Sequence, residues 1–165
     1  MGLRPRAPDA AQLAAMDPGE LLWLAVEPVY SRVSTDSPNE FFEGFSQLLP
    51  AQGHLFAAYC AQSDVNIGGL YQFFLDSTGV MAPESARGMR FLEQTELADI
   101  LERAIALFGA DYPRGQERRE AAMERLTRPE NPFPALDAAF HKALVPFDEK
   151  VDGFIRRHMD FFFKA

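Results

Sequence analysis

The chain of 165 residues carries a formal charge of −8 and an isoelectric point near 4.9, with 47% hydrophobic residues and fifteen phenylalanines. That balance excludes a disordered acidic tail, because the apolar content is enough for a core, and it excludes a nucleic-acid footprint built on excess lysine and arginine. The single cysteine, Cys60, excludes an internal disulfide framework, fits a reducing compartment and reads as an inert core thiol.

Residues 1–16 read as an N-terminal extension, and residues 17–165 as one domain. The apolar run Leu21-Leu22-Trp23-Leu24-Ala25-Val26 is too short for a signal peptide or a membrane span. The expectation is a soluble, cytoplasmic protein with no membrane segment. Asp17-Pro18-Gly19-Glu20 has the cap, the proline and the acidic third position of a helix start, and Pro28 is expected to kink or end that helix. Ser37-Pro38-Asn39-Glu40 opens a second helix through Phe41, Phe42, Phe45 and Leu48. A third begins after Gly53 and ends near Asn66. Asn66-Ile67-Gly68-Gly69 is a turn or cap that lets Leu70, Phe73 and Phe74 plug the core, with Asn66 and Gln72 fastening backbone groups.

Further along, Pro83-Glu84 starts a helix to Leu92. Leu97, Ile100, Leu101, Ala104, Leu107 and Phe108 mark an amphipathic helix stopped at Gly109. Gln116 to Thr127 is a charged helix, with Glu124 and Arg128 spaced to pair. Pro134 to Leu144 and Asp148 to Phe162 complete an all-α, single compact domain of about seven to nine short helices. Three successive rings, Phe161-Phe162-Phe163, cannot share one helix face, so at least one lies outside the core seam, and a packed C-terminus or a dimer contact accounts for the rest.

The charge is uneven. Residues 7–86 hold ten carboxylates against Arg32 alone, and residues 33–86 hold no lysine or arginine. Such a stretch cannot grip phosphates and presents a negative field to a basic partner. The candidate acidic face is Glu20, Glu27, Asp36, Glu40, Glu43, Asp64, Asp76 and Glu84. The arginines Arg114, Arg118, Arg119, Arg125 and Arg128 are interleaved with Glu117, Glu120 and Glu124 and read as a solvated helix face, with pairing to the acidic half as the alternative. His54, His141 and His158 stand singly with no metal-ligand spacing, no serine sits in a nucleophile elbow, and Gly68-Gly69 lacks the lysine of a phosphate loop. No catalytic residue, metal or cofactor is assigned.

The block Asp64-Val65-Asn66-Ile67-Gly68-Gly69-Leu70-Tyr71-Gln72-Phe73-Phe74-Leu75-Asp76-Ser77 resembles the acidic-V-N-x-G-G-F-x-Q-F-F-x-N-S signature of a bacterial domain-of-unknown-function family that includes a DNA mimic protein. Leu92 to Phe108 and Leu136-Asp137-Ala138-Ala139-Phe140 are similar to two later elements of that family. Leu70, Asp76 and Gln94-Thr95 depart from its usual residues. In this resemblance Asn66, Gly68, Gly69, Gln72, Phe73 and Phe74 are mainly structural. It implies an all-α fold without known catalysis and, for at least one member, a dimer whose carboxylates imitate DNA phosphates and block a DNA-binding repressor. The expected function is therefore a non-enzymatic acidic protein-interaction module, with DNA mimicry as its sharpest form. Its partner would be a basic protein surface such as a DNA-binding regulator, with no direct nucleic acid and a homodimer as an option. The alternatives are a regulatory or structural domain that uses an apolar surface, and an unrecognised enzyme, which would need a deep pocket near the Asn66 to Gln72 turn.

Overall fold

Proline and a short polar cap open the early helices in the computed structural model, which describes residues 3–165. Helix α1 (Ala10–Ala15) starts with a reciprocal cap between Asp9 and Gln12. In α2 (Pro18–Tyr30), Pro18 supplies a preset φ where no amide partner is needed, and the Glu20 carboxylate accepts from the Asp17 amide at 2.8 Å. Pro28 does not end this helix, contrary to expectation. It lies in the last turn, where a missing amide removes a single late hydrogen bond. α3 (Pro38–Phe45) is capped by Ser37, whose hydroxyl accepts from the Glu40 amide.

α4 (Pro50–Leu75) begins earlier and runs further than its sequence suggests. Asn66, Ile67 and Gly68 stay helical, and the break falls on Gly69 alone, at φ 76° and ψ 175°. A side chain at Gly69 would be strained there and would sit 2.9 Å from the Asp137 carboxylate. Asp137 Oδ1 accepts from the Leu70 amide at 2.7 Å, capping the second arm of the helix. The break turns Leu70, Phe73 and Phe74 inward to 0% exposure and leaves Tyr71 and Gln72 outside. Each of those three side chains contributes roughly 2 kcal/mol of burial.

A 3-10 turn (Ser77–Met81) leads into α5 (Ala82–Phe91), α6 (Thr95–Ala106), α7 (Gln116–Leu126) and α8 (Phe133–Leu144). The C-terminal helix splits at His158 into α9 (Phe147–Arg157) and α10 (Met159–Phe162). That split, together with α1, brings the described residues to ten α-helices. α4 is the axis of the fold, flanked by α2, α5, α7 and α8. A smaller apolar cluster of Val29, Val33, Phe41, Phe56, Cys60 and Met81 lies beside the main core and includes α3 through Phe41.

The stretch expected as an N-terminal extension is fastened to the chain's other end. The Ala7 amide donates to the Lys164 carbonyl and the Lys164 amide to the Pro5 carbonyl, each at 2.8 Å, while Leu13 and Met16 pack on the core. This single bridge is the only β pairing among the described residues. Residues 1 and 2 of the extension lie outside the described residues. Phe162 and Phe163 are buried by this closure and Phe161 is exposed. Among the described residues no helix is long and apolar enough to cross a membrane.

Candidate functional site

Five of the eight candidate carboxylates stand at the surface. Glu20 and Glu27 are seven residues apart on one side of α2, Asp36 precedes α3, and Glu40 and Glu43 lie one turn apart on α3. Ser34 donates to Glu40 Oε2 at 2.8 Å, which ties the loop before α3 to that carboxylate. None of the five has a cation within ion-pair distance among the described residues. The six ion pairs found there all use carboxylates from Glu84 onward. In the second half, three exposed acids are paired locally: Arg90 bridges Asp99 and Glu102, and Arg157 meets Glu93.

The other three carboxylates do not belong to an open face. Glu84 is 6% exposed, held by Arg114 at 2.6 Å and Arg87 at 2.8 Å, because its position on α5 points into the packed side of that helix. Asp64 is half-buried and accepts from Thr78 Oγ1 at 2.6 Å. Burial raises its carboxyl pKa above the ordinary value, the Thr78 hydrogen bond opposes that, and Asp76 adds to it. Asp76 is half-buried at the end of α4, where its carboxylate accepts from Gln72 Nε2 at 2.7 Å.

Of the arginines expected on a solvated face, Arg119 is inside the protein and Arg114 is half-buried. Arg119 is 1% exposed. Its guanidinium donates to the carbonyls of Phe74 at 2.8 Å, Asp76 at 2.9 Å, Pro113 at 3.4 Å and Arg114. Phe74 and Asp76 lie at the C-terminal end of α4, so the carbonyl dipoles there compensate the charge with no carboxylate in contact. Burial lowers the pKa of this guanidinium from its ordinary value. Gly79 permits the approach, since a Cβ on it would lie 2.8 Å from Arg119 Nε and 2.9 Å from the Phe73 and Phe74 carbonyls. Arg114 links Glu84 and the Val80 carbonyl, and its guanidinium lies 5.0 Å from the Phe42 ring centre. Arg128 falls past the end of α7 and is in no ion pair, so the expected Glu124–Arg128 contact does not form among the described residues.

Around the signature, Gly69, Leu70, Phe73 and Phe74 are structural as described, and Gln72 fastens Asp76. Asn66 is exposed and its side chain makes no hydrogen bond to a described residue, so the expected fastening role falls to Asp137 instead. An open depression of about 290 Å³ lies here, with Gln62, Asn66, His141, Asp148 and Glu149 in its lining. His141 Nδ1 is 2.8 Å from the Asp137 carbonyl. The depression is open to solvent. No three His, Cys, Asp or Glu residues converge among the described residues. Burial pushes the Cys60 thiol well above its ordinary pKa, with Asp64 adding to it, which disfavours the thiolate.

The Gly69 break capped by Asp137 joins two stretches far apart in the chain, and both fall in one matched region: the sequence model of the DMP19-like protein family covers residues 46–158. The chain belongs to the DMP19-like family. No curated protein matches it. Within the DMP19-like region lie α4 to α9, whereas Glu20, Glu27, Asp36, Glu40 and Glu43 precede it. These five carboxylates therefore belong to the part of this chain outside the matched region. Sequence reasoning missed Arg119 as a core residue. Its spacing with Ala122, Met123 and Leu126 places it on the one apolar stripe of α7, and that was the available signal.

Proposed function

We propose that this chain is a non-enzymatic, acidic protein-interaction module that binds a basic protein surface, and that it acts as a DNA mimic on the DNA-contacting face of a regulatory protein. The observation that carries the reading is the set of exposed carboxylates Glu20, Glu27, Asp36, Glu40 and Glu43 with no cation of their own. Glu84 and Asp64 are drawn into the fold by ion pairs and a hydrogen bond, whereas these five stay exposed, Glu20 and Glu40 accepting one hydrogen bond each. Carboxylates left unpaired in a cation-free stretch raise the negative potential that a lysine- and arginine-rich surface meets when it binds phosphates. Membership of the DMP19-like family supports the same reading. Dimerisation would double the charge presented.

The alternative contact through Phe161 to Phe163 has less to stand on, because Phe162 and Phe163 are buried and Phe161 stacks on His158 at 4.9 Å. Affinity capture from lysate of the source organism tests the proposal. The expected result is a DNA-binding protein that moderate salt releases and that duplex DNA competes away. Capture only of salt-resistant proteins that DNA leaves bound would contradict it.

A further inference from the structure

Three aromatic rings meet at the surface where α2 crosses α4. Trp23 lies 5.6 Å from Tyr30 and 5.9 Å from Tyr59, and the two tyrosines are 6.1 Å apart, centre to centre. Trp23 is 42% and Tyr30 47% exposed, and Tyr59 is half-buried. Trp23 continues into an open groove of about 680 Å³, in which Ala15, Met16 and Leu24 lie beside Glu20 and Glu27. Acidic groups flank the rings from the other helices as well. Asp148 of α9 has its Oδ2 3.5 Å from where a Cβ on Gly19 would lie, one turn before Trp23. Burial first, then Cys60 and Asp64, raises the Tyr30 phenol pKa. Burial first, then Tyr30, Cys60 and Asp148, raises that of Tyr59. Both rings thus feel a nearby carboxylate.

Among the described residues this cluster, like Tyr71 and Phe161 at the surface, has no internal cation over its rings. Elsewhere the protein covers aromatic faces with its own arginines: Arg114 lies 5.0 Å from the Phe42 ring centre and 5.9 Å from that of Tyr112, and Arg157 lies 5.9 Å from that of Phe154. Among the described residues no cation lies over Trp23, Tyr30 or Tyr59. An electron-rich ring face in a negative field attracts a guanidinium or ammonium group, and tryptophan does so most strongly.

We propose that Trp23, Tyr30 and Tyr59, rimmed by Glu20, Glu27 and Asp148, form the anchor for a segment of a basic protein that carries arginine or lysine beside apolar side chains. The cation lies over the rings, its carboxylate partners are Glu27 and Asp148, and the apolar neighbours fill the groove along Met16 and Leu24. This inference rests on the acidic-module reading and names where that contact is centred. Anchors of this kind, an aromatic surrounded by weaker polar contacts, carry most of an interface's energy.

Trp23 is the single tryptophan of the chain, so its emission reports on this site alone. The probes are two fluorescein-labelled peptides of equal length, one alternating arginine with leucine and the other alternating glutamate with leucine, titrated into the full chain at low salt. The arginine peptide is expected to bind, and the Trp23 emission to change and saturate over the same concentrations. Trp23→Leu should weaken binding about tenfold, with the helical circular dichroism unchanged, while Trp23→Phe retains part of the affinity. Glu27→Gln should weaken it about threefold. Binding that leaves Trp23 emission unchanged, or that Trp23→Leu does not affect while Glu40→Gln with Glu43→Gln does, overturns the anchor and leaves the acidic module standing. Equal binding of both peptides, or binding of neither, overturns the anchor and the acidic reading together.

Discussion

Arg119 illustrates how one side chain can hold several elements. Its donors end at carbonyls of α4's C-terminal turn and of the loop before α7, and Gly79 makes room for it. Replacing it with methionine keeps much of the volume but leaves buried acceptors without donors, so Arg119→Met should cost about 3 kcal/mol in urea unfolding. Gly79→Ala forces a methyl against the same guanidinium and two carbonyls, and a loss of about 2 kcal/mol is expected from the same measurement. Asp64 supplies a pH signature. Burial raises its folded pKa, so the native state binds a proton at a pH where the unfolded chain has released it. Its contribution to stability therefore falls as pH rises through the interval between the ordinary carboxylate value and the raised one. Urea titrations across that interval should show the wild type gaining on Asp64→Asn as pH falls. A constant difference would show that Asp64 is not perturbed.

At the scale of elements, the α4 break is where a local signal and a distant partner meet. Gly68-Gly69 announces a turn, and the structure narrows it to Gly69 because that residue alone takes positive φ. That Asp137 caps the second arm was not visible, since a cap 67 residues away leaves no local pattern at either end. Asp137→Ala should destabilise the fold by about 1 kcal/mol, with Asp137→Asn largely restoring it, by thermal or urea unfolding. Helices with strong apolar spacing, such as α6, were legible almost to the residue. α7 was legible as a helix but not in its burial, because its alternating charges conceal that one arginine lies on the packed side. Pro28 misled for a related reason: proline in a last turn breaks one hydrogen bond and leaves the helix otherwise intact.

Over the whole molecule, charge is sorted between halves of the chain. The acids that do find arginines, Glu84, Glu93, Asp99, Glu102 and Asp152, all lie from Glu84 onward, while Glu20, Glu27, Asp36, Glu40 and Glu43 find none. The asymmetry was legible in the sequence as a run without lysine or arginine, but composition does not distinguish a carboxylate that caps or pairs internally from one left at the surface. Glu84, Asp64 and Asp76 were sorted out only by burial and hydrogen bonding. The aromatic cluster on α2 and α4 was hidden likewise, because Trp23 and Tyr59 are distant in sequence and adjacent in space. The central claim is that the unpaired carboxylates are the working surface. Its most direct test is the salt dependence of affinity for the captured DNA-binding partner, measured with the wild type and with a variant carrying Glu20→Gln, Glu27→Gln, Glu40→Gln and Glu43→Gln. The account predicts steep weakening with salt for the wild type and a flatter, weaker profile for a variant that remains fully folded. Identical affinity and identical salt dependence for the two proteins would contradict it.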